Sequence, residues 1–359
     1  MAGKRKTLPN HFDVLIKTGS LEEQIDAMKK CIPNAVGDYN KYNAFGFPGI
    51  TGDFARWLVE YGADINMKDR FGYTPLHHQA MRFQNRAILE LYIALGADLE
   101  AQSINNGGPL HGAADRGCAE NVRLLIDKGA DIHARTNSRN PAGGYTALEF
   151  ALSRCRGADI VEKMDAVAVL ISAGVPVTEK VKEEVKRIGE GIEFYRMNFP
   201  EERALVIDEA IDRLYLLTGV EPVAKRNMHD GVSPIVVHAD TWKKQYQELW
   251  GYLVPGMGAC QTVQGEVIRI SGRVADELLG NGGINWDADY RLMLGCLKEY
   301  LEMGVAVNDV CMDEIKTLIS SINKSAADEK KLQRLQQLCV EWVLRNPNPL
   351  AMKQPKYRR

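Results

Sequence analysis

The chain has no C-x-x-C pair, and its seven cysteines (Cys31, Cys118, Cys155, Cys260, Cys296, Cys311, Cys339) are scattered and odd in number. That pattern argues against a disulfide framework and a structural zinc site, and leaves most of them as small apolar residues in a reducing compartment. Cys260, in a glycine-rich segment, is the one candidate for a reactive thiol. Charge of one sign is also missing. Against 47 acidic residues stand 45 basic ones, for a formal charge of −2, so no overall field gathers nucleic acid or anionic lipid. A nucleic-acid partner would require the basic ends to converge on one face. No stretch reaches the roughly 18 uninterrupted apolar residues of a membrane helix. Met1 to Lys6 carries the charge of a signal peptide, but Leu8-Pro9-Asn10-His11 stands where an apolar region is required. The expectation is a soluble, cytoplasmic chain. No H-E-x-x-H, G-x-S-x-G, P-loop or clustered Cys/His set occurs, so no catalytic residue, metal or cofactor is assigned.

What is present begins with a repeat. At 359 residues the chain is too long for one core, and two domains are the first expectation. Gly62-Ala63-Asp64, Gly96-Ala97-Asp98 and Gly129-Ala130-Asp131 recur at a period near that of one short helical hairpin plus a finger. Ten positions after Gly62 comes Gly72-Tyr73-Thr74-Pro75-Leu76-His77, and the stretch after Gly96 ends in Pro109-Leu110-His111. Thr74 suits a helix cap and Pro75 the first helical position. The glycine of each Gly-Ala-Asp supplies the left-handed residue that ends a second helix. Val122, Leu124, Leu125 and Ile126 carry the apolar face between them.

On these motifs, residues 40–178 resemble the ankyrin repeat, in about four copies. Phe54 to Tyr61 reads as the second helix of a degenerate first copy, and Leu21 to Ile32 as an amphipathic helix capping the stack, within an N-terminal region 1–39. Two departures point to weaker units: Gly108 stands where the capping threonine belongs, and Glu149 replaces the motif histidine in Tyr145-Thr146-Ala147-Leu148-Glu149. The finger at 136–143 is lengthened, and extra residues lie around Arg156 to Asp159. The resemblance implies a solenoid that binds another protein through its finger tips and the exposed face of its first helices. Candidate contacts are Arg70 and Phe71 at one tip, Asn105 and Asn106 at the next, and Arg139 on the long finger. His78, Met81, Arg82, Asp115 and Arg116 are candidates on the first-helix face. His77 and His111 read as structural.

After Gly174-Val175-Pro176 the repeat signal stops, and residues 179–346 read as an irregular helical domain, making the whole chain all-α. Helices are expected over 180–199, 200–218, 242–254, 262–279, 287–303, 310–322 and 326–344, with Asp287 and Ser325 among the caps. Ile235-Val236-Val237 is the one credible strand, or else buried coil. The basic end, 347–359, is expected to be a solvated tail.

The most unusual stretch runs from Leu253 through Pro255-Gly256-Met257-Gly258 and Thr262-Val263-Gln264-Gly265-Glu266 to Arg269. A glycine-rich loop entering a helix N-terminus suits an anion, although the lysine and spacing of a P-loop are absent. Val263, Val267, Ile270 and Val274 mark a buried stripe, with Glu266, Arg269, Arg273, Asp276 and Glu277 on a charged face. Gly265 and Gly272 permit close approach of another helix. This segment resembles one in uncharacterised bacterial proteins, and the resemblance brings no activity with it. Gly256, Gly258, Gln264, Glu266, Arg269, Arg273, Asn281, Asn285 and Asp287 are candidates for a ligand pocket, with Glu266 as general acid or base and Arg269 holding an anion. The competing reading is an ion-pair network that locks helices together. Two functions therefore stand side by side: a non-catalytic protein-binding module, in a bacterial or phage setting an inhibitor of a toxin or defence enzyme, and an enzyme or small-ligand sensor at 256–287.

Overall fold

The computed structural model describes residues 3–37, 39–137, 144–322 and 328–358. It is all-helical apart from two short strands, and divides into two compact units. The first holds the residues up to Ile192 together with Glu201–Val223, and the second holds Glu193–Pro200 and Ala224–Arg359. The first unit thus continues past 178, where the repeat signal ends.

In the first unit the order is β1 (Arg5–Thr7), α1 (Phe12–Thr18), α2 (Leu21–Lys29), β2 (Cys31–Val36), α3 (Gly52–Glu60), α4 (Pro75–Ala80), α5 (Arg86–Ala94), α6 (Pro109–Asp115), α7 (Ala119–Asp127), α8 (Ala147–Ser153), α9 (Ile160–Ser172), α10 (Glu179–Tyr195) and α11 (Glu201–Thr218). The helix expected over 21–32 stops at Lys29. Beyond it Cys31–Val36 pairs in parallel with Arg5–Thr7, a strand pair the helical pattern had hidden. Pro33 lacks the N–H that a continuing helix would use.

Helices α4, α6 and α8 pack in one layer, and α3, α5, α7 and α9 in a second. The second-layer helices end on glycines with positive φ, Gly62 (88°), Gly96 (94°) and Gly129 (93°), conformations a side chain would strain. A ladder then joins successive copies: Asn34 Oδ1 accepts from Asp64 N (2.7 Å), Asn66 Oδ1 from Asp98 N (2.8 Å), and Glu100 Oε1 from Asp131 N (2.8 Å). The motif histidines form a second ladder. His77 Nδ1 accepts from Thr74 N (3.1 Å), and His77 Nε2 pairs with Gly107 O (3.1 Å) of the next copy. His111 repeats this with Gly108 N (3.2 Å) and Tyr145 O (2.9 Å). The Thr74 hydroxyl turns to His77 Nδ1 (2.8 Å). Glu149 takes the missing histidine's place in the ladder. Its carboxylate accepts from Thr146 N (3.1 Å) and Thr178 Oγ1 (3.0 Å), while Arg135 Nη2 lies 2.9 Å away. After the repeats, α11 packs on α9, and Arg187 of α10 donates to the carbonyls of Leu152 and Cys155 at the end of α8 (3.0 Å each).

The second unit contains α12 (Trp242–Leu253), α13 (Val263–Ala275), α14 (Ala288–Leu301), α15 (Asp309–Ser321) and α16 (Glu329–Arg345). Ile235-Val236-Val237 is coil, with Ile235 buried and Val236 exposed. Ser325 lies outside the described residues, and Asp328 caps α16 by accepting from Lys330 N (3.0 Å). Helix α13 runs against α12, α14 and α16, and its side chains are buried on nearly every side. It ends in a wider turn, Asp276–Gly280. The tail is threaded onto the unit. Leu350 O accepts from Val263 N (2.8 Å), Met352 N donates to Gln261 O (3.0 Å), and Tyr357 is buried. Among the described residues, no helix is long and apolar enough to cross a membrane.

Candidate functional site

In the first unit the candidate contacts separate into residues that hold the stack and residues that face solvent. His78 Nε2 lies 3.0 Å from Asp69 Oδ2, with its ring against Tyr42 and Tyr73. Arg82 donates to Gln79 Oε1 (2.8 Å) and Gly46 O (2.9 Å). Met81 packs on Gly112, where an added Cβ would lie 2.9 Å from Met81 Cγ. Asn106 bonds to the Tyr73 hydroxyl and accepts from Arg154 (3.3 Å). Asp115 pairs with Lys163 (2.7 Å) and Arg154 (3.2 Å). These five are committed internally. Arg70, Phe71, Asn105 and Arg116 are exposed, and Arg139 lies outside the described residues.

The exposed tips carry two further residues that the motif reading missed, Tyr39 (76% exposed) and Ile104 (56%). Arg70 sits between the rings of Tyr39 and Phe71, 5.2 and 5.1 Å from their centroids. Phe71 O accepts from Ile104 N (3.1 Å), so the tips of neighbouring copies adjoin. Tyr39 precedes Arg70, and Ile104 follows Phe71, by about one repeat; that period was the signal available.

In the second unit the nine pocket candidates do not converge. Glu266 is fully buried; it accepts from Cys260 N (3.0 Å), from Arg269 Nη2 (2.6 Å) and from the Tyr357 hydroxyl. Burial raises its proton affinity, but the guanidinium, the Cys260 N–H and Tyr357 outweigh that and hold the carboxyl below its ordinary value. Glu266 and Arg269 are therefore a buried pair and not part of a charged face. Burial first, then the Glu266 charge, push the Cys260 thiol far up, which removes it as a reactive thiol. Gln264 clamps the tail, donating to Asn346 O (2.9 Å) and Asn348 O (2.8 Å) and accepting from Leu350 N (3.0 Å). Asn281 and Asn285 bond to Glu277, and Asp287 caps α14. At the helix N-terminus expected to cradle an anion, three of the first four N–H groups are already engaged: Leu350 O takes Val263 N, the Thr262 hydroxyl takes Gly265 N (3.1 Å), and Thr262 O takes Glu266 N (3.0 Å).

Gly256, Gly258, Arg269 and Arg273 do line one cavity, of about 790 Å³, together with Tyr246 and Trp250. The close approach expected at glycine is present. A Cβ on Gly272 would stand 2.2 Å from Trp250 Cζ3, and one on Gly265 2.9 Å from Cys260 Cβ. Gly272→Ala is expected to lower stability by about 1–3 kcal/mol through overpacking, read as a lower urea midpoint. An unchanged midpoint would mean that the indole has room to move. Arg226, absent from every motif, braces two of the segments that line it. Its guanidinium donates to Gly251 O (2.6 Å) and Trp250 O (2.9 Å), carbonyls at the end of α12, and to Phe194 O (3.1 Å).

Comparison with known proteins bears on the first unit. A family model described as ankyrin repeats matches residues 42–136 in three copies. Residues 42–136 are ankyrin repeats. Over 117 residues the chain is 35% identical to an ankyrin repeat domain-containing protein, SAT10, of Stachybotrys chartarum, covering 33% of this chain and 5% of that one. It is 40% identical over 89 residues to delta-latroinsectotoxin-Lt1a of Latrodectus tredecimguttatus (24% of this chain, 7% of the toxin). It is 29% identical over 168 residues to neurogenic locus notch homolog protein 1 of Xenopus laevis (44% of this chain, 6% of that protein). The chain spans well under a tenth of the length of each of these three relatives. Within the matched residues Gly-Ala-Asp ends the second helices and the histidine ladder joins the copies.

Proposed function

We propose that the ankyrin stack binds another protein along the finger-tip row of Tyr39, Arg70, Phe71, Ile104 and Asn105. The observation that carries this is the Arg70 guanidinium held between two exposed rings, beside the exposed Ile104 of the next tip. Arginine and aromatic residues combine large contact area with directional bonding, and they dominate interface energetics. Internal pairs fix His78, Arg82 and Asp115, which leaves the tips as the adaptable, solvent-facing chemistry. All seven cysteines are free thiols and six are buried, which supports a reducing, cytoplasmic setting for the encounter.

The test is capture of partners by the tagged full-length chain from its native host, beside the Arg70→Ala and Phe71→Ala variants. A stoichiometric protein should be recovered with the unaltered chain. Each variant should weaken its binding roughly tenfold or more, the loss of an anchor at a contact centre. Equal recovery with both variants at unchanged melting temperature would remove the tips from the interface. The narrower reading, occlusion of a toxin or defence enzyme, has its own readout: the captured protein's turnover falls on stoichiometric addition of the chain.

A further inference from the structure

The cavity of the second unit has a composition that the tail clamp and the buried ion pair do not explain. Its volume of about 790 Å³ falls in the usual range for small-molecule sites, roughly 300–1,000 Å³. One wall is aromatic: the rings of Tyr246 and Trp250 lie 6.4 Å apart at 26° to one another. That wall is laid against α13 at Gly272, where a Cβ would meet both Trp250 and the Tyr246 hydroxyl, at 2.2 and 2.7 Å. Facing solvent, the Pro255–Gly258 loop adds the exposed Met257.

The cavity's two guanidiniums differ in what they are bonded to. Arg269 is committed to Glu266 at the base. Arg273 is one turn further along α13 and half-buried; it has no side-chain hydrogen bond or ion pair to any described residue. A guanidinium partly withdrawn from water and given no partner favours a carboxylate or phosphate, with which it forms short, charge-assisted bonds. The sole carboxylate among the lining residues, Asp276, is exposed. Gln247, Gln333 and Gln336 add amides suited to the polar edge of a ring. The lining contains neither histidine nor cysteine.

We propose that this cavity binds a small aromatic anion, its ring against Trp250 and Tyr246 and its acidic group on Arg273. The inference is independent of protein binding at the finger tips. Isothermal titration of the full chain tests it with three probes: AMP as a nucleotide, anthranilate as an aromatic carboxylate, and inorganic phosphate as an anion without a ring. Saturable binding of AMP or of anthranilate, with phosphate much weaker, is expected, and the probe that saturates identifies the source of the acidic group. Arg273→Gln should then weaken that probe at least tenfold with the melting temperature unchanged, while Arg273→Lys, which keeps the charge, retains part of the affinity. No binding of either aromatic probe at millimolar concentration, or binding that Arg273→Gln leaves intact, would overturn the proposal.

Discussion

Replacing Glu266 with alanine is expected to destabilise the second unit by about 3–5 kcal/mol, the range found when a buried ion pair is broken from one side. The carboxylate is fully buried, and four donor groups converge on it: the Cys260 N–H, Arg269 Nε and Nη2, and the Tyr357 hydroxyl. Its removal leaves the Arg269 charge without its counter-ion, and it releases the tail at Tyr357. Glu266→Met paired with Arg269→Met should recover much of the loss, because a buried pair exchanged for apolar side chains of similar volume is often near neutral. Denaturant unfolding followed by tryptophan fluorescence reads this unit directly, since Trp242, Trp250, Trp286 and Trp342 all belong to it. An unaltered midpoint for the single variant would show that the pair contributes little. The same geometry speaks against Glu266 as a general acid or base: it is closed to solvent and its carboxyl is held ionised.

The repeats were legible because their determinants are local and periodic. Gly62, Gly96 and Gly129 mark left-handed helix ends, and Thr74-Pro75-Leu76-His77 marks a helix start, each within a few residues. The Glu266–Arg269 pair is just as local, three residues apart, yet its burial was not legible, because the same spacing on a helix serves an exposed pair equally well. What encloses it is α12, α14 and α16 together with Tyr357, 91 residues away, and no pattern within α13 reports that. Arg82 and Asp115 show the same limit in the first unit. Sequence spacing placed them on an open face, but the carbonyl of Gly46 and the ammonium of Lys163 come from other copies to engage them. Tyr39 and Ile104 went unseen for a different reason. They hold no motif position, and only their spacing from Arg70 and Phe71 sets them at the tips.

Between about pH 6.5 and pH 4 the ankyrin stack is expected to lose about 3 kcal/mol of stability, at about 1.4 kcal/mol per pH unit for a single histidine. His77 is the source. Burial pulls its pKa down to about 4, because the ring is needed neutral: Nδ1 accepts from Thr74 N and the Thr74 hydroxyl, leaving Nε2–H to donate to Gly107 O. A proton on Nδ1 would face two donors. In the unfolded chain the ring takes its proton near pH 6.5, so below that pH the unfolded state binds more protons than the folded one. Stability is therefore complete above pH 6.5 and declines as pH falls toward about 4. His111 is shifted downward for the same first cause, burial, and adds loss in the same direction. Asp69 also contributes as the acid range is entered. Burial raises its proton affinity, but His78 and the N–H groups of Tyr73 and Phe71 outweigh it and hold the carboxyl below its ordinary value, so its share fades last. Urea unfolding followed by circular dichroism at pH 7 and pH 4.5 measures the slope. His77→Gln should cost stability at pH 7 while making the dependence on pH shallower, since the substituted side chain takes up no proton. A dependence equally steep in that variant would mean that the stack's acid sensitivity arises elsewhere than in the histidine ladder.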